Sequence, residues 1–175
     1  MTAYSGVQSG GQPWWRDYVS PGPLWNNAGT DVQGRYIYIV QQLIADQDCV
    51  NWYASVTAQL GHPGDLASVF RRSGLNFYHK GQDVSLAQLP GINVDRFTYK
   101  NAHGQTILNT TDHPQIIINS YDPMLLNNVD LATYLVHEGI HAAGNDRGSE
   151  SSLQADLDPE AADSLIKKNC SKKVR

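Results

Sequence analysis

The sequence predicts an α+β domain in which helices come first, a small mixed sheet follows, and two further helices close the chain. Three observations carry this. Helical periodicity with recognisable end signals fills residues 30–72. Short extended runs separated by Gly, Pro and Asn occupy the stretch after Gly74, and from Asn127 the pattern returns to helix, twice. A chain of 175 residues, 41% of them hydrophobic, suits one domain with a real core.

Residues 1–29 hold Trp14, Trp15 and Trp25 among many Pro and Gly, and read as an irregular arm ahead of a single domain at 30–175. The aromatics would pin the arm onto the core, or the arm would lie over a cleft as a blocking segment. A first helix is expected from the capping-box pattern Thr30-x-x-Gln33, through "VQGRYIYIVQQLIAD". A second covers "QDCVNWYASVTAQL" up to Gly61, and "DLASVFRRS" continues helically. The extended runs are "LNFYH", "NVDRFTYK", "QTILN" and "QIIINSY", the middle pair joined by "NAHG" as a hairpin. The next helix spans "NNVDLATYLVHEGIHAAG", with Asn128 as its cap and Gly144 at its end. After the loop "NDRGSESSLQADL", Asp158 and Pro159 open the last helix, "EAADSLIKKNC".

A net charge of −4 and a pI near 5.8 leave no basic footprint for nucleic acid or an anionic membrane, because the only basic run is the tail "KKNCSKKVR". No stretch approaches the roughly 20 apolar residues that span a bilayer. The N-terminus lacks the basic start and apolar run of a signal peptide. Cys49 and Cys170 fit no metal-binding spacing. They are either two buried thiols or a disulfide between an early helix and the last one, and the disulfide would favour a secreted or otherwise extracytoplasmic protein.

Chemistry concentrates in "HEGIH". On a helix turning about 100° per residue, His137 and His141 lie one turn apart on one face and reach a single ion, while Glu138 sits beside it. Asp130, Thr133, Tyr134 and Gly144 share the histidine face, and Leu131, Leu135 and Ala142 lie opposite. Two neutral imidazoles suit Zn2+, and the carboxylate is placed to take the proton from a water the ion activates. The other reading of the segment is a metal-free packing helix.

This segment resembles the zincin metallopeptidases, mainly over residues 115–165. The resemblance implies one metallopeptidase domain at 30–175 that hydrolyses peptide bonds in a protein or peptide substrate, with Glu138 as general base. It further implies that "QIIINSY" is an edge strand to which substrate adds, although three consecutive isoleucines serve a buried central strand equally well. The metzincin continuation H-x-x-G-x-x-H/D fails at Arg147. The gluzincin, thermolysin-like arrangement fits better. Glu160, 19 residues after His141, would be the third zinc ligand, and Asp163 would accept the second ring N–H of one histidine. Glu150, Asp146, Asp156 and Asp158 stay open as ligands. For the oxyanion the candidates are Tyr134, Arg147, Tyr121 and His113. His62, His79 and His103 read as bystanders. The chain is expected to act as a monomer. The rival function is a zincin-derived binding or structural module, without turnover, whose zinc holds two helices together.

Overall fold

The computed structural model describes residues 14–78, 104–107, 114–119, 127–144 and 159–175, and of residues 104–107, 119, 144, 159 and 160 the backbone alone. The described residues contain five α-helices: α1 (Thr30–Ala45), α2 (Gln47–Gln59), α3 (Leu66–Arg72), α4 (Asn128–Gly144) and α5 (Pro159–Asn169). Four short strands accompany them: β1 (Ser20–Pro21), β2 (Gly74–Tyr78), β3 (Gly104–Ile107) and β4 (Gln115–Asn119). This is a mostly helical α+β arrangement. The run "NVDRFTYK", the turn "NAHG", Asp158 and the loop after Gly144 lie outside the described residues. No helix among those described is long and apolar enough to cross a membrane.

Helix starts follow local chemistry, with one correction among the first three helices. The expected Thr30/Gln33 capping box does not form. Gly29 occupies the cap in extended geometry, so Gln33 falls one residue too far into the helix to reach back to it. Its amide instead donates to the carbonyls of Ala28 (3.0 Å) and Trp25 (3.2 Å). Asp46 caps α2 through the backbone N–H groups of Asp48 and Cys49, and Asp65 caps α3 through Ser68 N–H. Past the end of α2, Gly61 takes φ +81°, a left-handed position that a side chain would strain.

The sheet runs in the order β1-β2-β4-β3, with β1, β2 and β4 parallel and β3 antiparallel to β4. The expected edge strand at 115–121 is therefore a central one. Gln115–Asn119 is paired on both sides, and Ile116, Ile117 and Ile118 are at most 1% exposed. A strand covered on both faces needs no polar alternation, which is why three isoleucines run together. Leu75 pairs with Ile116 and Phe77 with Ile118, and these four face the main core. Phe77 meets Trp25 and, edge-on, Tyr36 of α1.

Residues 14–29 lie along β2. Trp15 and Trp25 are buried, and Asn76 Oδ1 accepts from Leu24 N–H (2.8 Å) while its amide nitrogen donates to the Ile116 carbonyl (3.2 Å). A side chain at Gly22 would overlap that same amide, so glycine is what lets the arm approach.

At the other end of the chain, Cys49 and Cys170 are joined with a Cα–Cα distance of 4.5 Å across 121 residues of sequence. Closing so long a loop stabilises the fold by about 4–5 kcal/mol in the chain-entropy model. That matters most for α5. Among its described side chains the fully buried ones are Ala162 and Ile166, worth about 2–4 kcal/mol together.

Candidate metal centre

Helix α4 is buried almost all round. Leu131, Ala132, Leu135, Val136 and Ala142 are at most 1% exposed. Its partly exposed stripe includes Asp130, Tyr134, His137 and His141, positions recurring every three or four residues along one helical face. Thr133, expected on that stripe, is buried instead. Its hydroxyl donates to the Val129 carbonyl (2.7 Å) and accepts from Ser171 (2.6 Å), which turns it into the joint with the C-terminal turn. Asn128 is not the helix cap either. Asn127 holds that place in a reciprocal box, accepting from Asp130 N–H (2.8 Å) and donating to the Asp130 carboxylate (2.6 Å). Asn128 lies inside the helix and accepts from Arg35 Nε (2.6 Å).

The stripe ends in a cluster of donors. One nitrogen of His137, one of His141 and a Glu138 oxygen all lie within 4.8 Å of one another. Donors on a single tetrahedral ion stand roughly 3.4 Å apart, so modest rotation of the two imidazoles would bring both onto one, with the Glu138 carboxylate beside it. Glu138 is only 6% exposed, whereas the histidines reach the surface at half-buried positions. The carboxylate thus lies deeper than the imidazoles. His141 lies in the last turn of α4, where the helix dipole favours a cation.

Helix α5 runs antiparallel beside the stripe. Lys167 pairs with Asp130 (3.4 Å), and nearer its start Asp163 Oδ1 meets His137 Nδ1 (3.1 Å). With Nδ1–H donated to the carboxylate, His137 turns its Nε2 lone pair to any ion. Asp163 is thus brought to one of the histidines. Glu160 lies in the first turn of α5, but its side chain is outside the described part. So are Glu150, Asp146, Asp156, Asp158, Arg147, Tyr121 and His113. Of the oxyanion candidates, Tyr134 is the one placed, on the histidine stripe one turn before His137.

Two supports of the helix carry no sequence signal. The buried Tyr53 hydroxyl donates to the Gly139 carbonyl (2.6 Å), and Arg72 reaches the Ala142 carbonyl (3.4 Å) near the helix end. Burial holds the Tyr53 phenol well above its ordinary pKa, only partly offset by Arg72. It therefore stays a donor. Both partners come from elements some 70–86 residues away, so no local pattern announces them.

Comparison with family models, curated proteins and solved structures found no match for this chain. Its chemistry has to be read from its own residues.

Proposed function

We propose that the chain is a zinc-dependent peptidase. The observation that carries this is the His137–Asp163 contact beside the His137–Glu138–His141 cluster. A carboxylate that fixes one imidazole while a second carboxylate lies buried among the donors is the arrangement a catalytic metal needs, not one that helix packing requires. In this reading His137 and His141 hold the ion, and Glu160, one turn before Asp163 on the same helix, completes the set. Zinc, when bound, supplies Lewis acidity to the scissile carbonyl and to the attacking water. Glu138 takes that water's proton as the bond to the carbonyl carbon forms, and returns it to the leaving amine nitrogen as the C–N bond breaks. Tyr134 stands along the stripe as a donor to the carbonyl oxygen.

The substrate would lie extended beside α4. Among the described residues β3 is the outer strand there, antiparallel to β4, so an added peptide strand has β3 and not β4 to pair with. The disulfide agrees with an extracytoplasmic setting.

Metal analysis should give one zinc per chain. Glu138→Gln should keep that zinc while hydrolysis of an unfolded protein falls at least about a hundredfold. Unchanged hydrolysis in the variant would sink the base assignment. Because Asp163 and His137 join α4 to α5, a zinc that merely clamps two helices is the second reading; tight zinc with no turnover by the wild-type chain would establish it.

A further inference from the structure

We infer that the core contains a binding site for one water molecule, held between the Tyr18 hydroxyl of the N-terminal arm and the Ser73 hydroxyl at the end of α3. Two buried oxygens carry this. Tyr18 Oη and Ser73 Oγ are both shielded from solvent, and neither has a hydrogen-bond partner among the described residues. Ser73 as a whole is only 2% exposed. A hydroxyl that loses its hydration without gaining a bond destabilises the fold, and native cores seldom leave two such groups in one place.

Both residues line the same small cavity. Val40, Phe70, Leu75 and Ile116 supply its apolar walls, and its volume is about 10 Å³. That is room for one water and far too little for an organic ligand. An apolar cavity stays dry unless polar groups converge on it, and a buried water needs at least two of them. Here Tyr18 donates to the water oxygen, and the water donates to Ser73 Oγ. Burial pushes the Tyr18 phenol up to about 12, so it keeps the proton it donates at neutral pH.

Backbone pairing explains why the two residues meet. In the parallel β1–β2 ladder Ser20 stands opposite Gly74 and Pro21 opposite Leu75. Continued back by one residue, that register sets Val19 against Ser73, with Tyr18 next to it. The water then gives the start of the arm a polar anchor on the core, beside the apolar one made by Trp15.

The test turns on a difference in sign. With a water between them both hydroxyls are bonded, so Tyr18→Phe and Ser73→Ala should each weaken the folding equilibrium about 3- to 10-fold, read as a lower urea midpoint at unchanged slope. The double variant should lose no more than about the larger single loss, because the first deletion already forfeits the bridge. In a dry cavity each hydroxyl is an unmet polar group, and both single variants would raise the midpoint; that result overturns the inference. Fully additive losses would also overturn it, since they assign the two hydroxyls separate partners. Oxygen-17 relaxation dispersion of the solvent gives a second measure, counting waters that stay on the protein longer than it tumbles and ignoring exchange of hydroxyl protons. The wild-type chain should hold one more such water than Tyr18→Phe/Ser73→Ala. An equal count would overturn the inference even if the midpoints fall.

Discussion

Tyr36 carries into the core a hydroxyl that has no hydrogen-bond partner among the described residues. The side chain is 1% exposed, its ring packs edge-on against Phe77 at 4.7 Å, and its oxygen makes no hydrogen bond among the described residues. A buried hydroxyl without a partner costs about 1–3 kcal/mol in lost hydration, while the ring contributes whether or not the oxygen is there. Tyr36→Phe should therefore raise stability by about 1 kcal/mol, seen as a higher urea midpoint at unchanged slope. A lower midpoint would mean that the hydroxyl does bonding work in solution. Tyr53 is the contrasting case, equally buried but spent on the Gly139 carbonyl. Two tyrosines of like burial thus differ in role, and nothing in "GRYIYIV" or "NWYASV" distinguishes them.

Helix ends and strand positions mark how far the sequence was legible at the scale of elements. The existence and type of α1 to α5 follow from periodicity, because each must bury an apolar face whatever its neighbours do. Caps are less legible, since adjacent residues offer the same chemistry. In "NNVD" either asparagine can cap, and only the tertiary pull of Arg35 on Asn128 leaves the task to Asn127. The expected edge strand failed for a related reason. The isoleucines state burial, but which strands flank them depends on residues 74–78 and 104–107, far off in sequence. The HExxH spacing was the most legible feature, being set within one helix, whereas the meeting of Asp163 with His137 required the α4–α5 packing and entered only through resemblance. The reassigned cap is testable. Asn127→Ala removes both halves of the box with Asp130 and should cost about 1 kcal/mol, while Asn127→Gly should cost only a few tenths. Equal costs for the two variants would place the stabilisation elsewhere.

Across the whole molecule, the long-range ties sort by pH as well as by position. A Cys49–Cys170 disulfide was one of the two readings the sequence offered and it forms, although 121 residues of separation say nothing of proximity by themselves. The buried phenols likewise become meaningful only once the core has closed. Burial raises Tyr36 and Tyr53 far above the ordinary value of 10.0, against smaller opposing effects of Arg35 and Arg72, and pushes Tyr18 up to about 12. Each group ionises more readily in the unfolded chain than in the native one. Their contribution is therefore complete below pH 10 and is lost as pH climbs toward the folded values. For the two deeply buried phenols the limiting slope is about 1.4 kcal/mol per pH unit each, or nearly 3 together. The phenol contribution should thus hold flat through neutral pH and fall steeply above pH 10, with part of the phenolate absorbance rising together with unfolding. Tyr36 and Tyr53 should ionise only as tryptophan fluorescence reports unfolding. Ionisation of all nine tyrosines in a single stage near pH 10 with the fold intact would show that the core around α1 and α2 admits water, and would remove the basis for treating Tyr53 as a fixed donor behind the candidate metal centre.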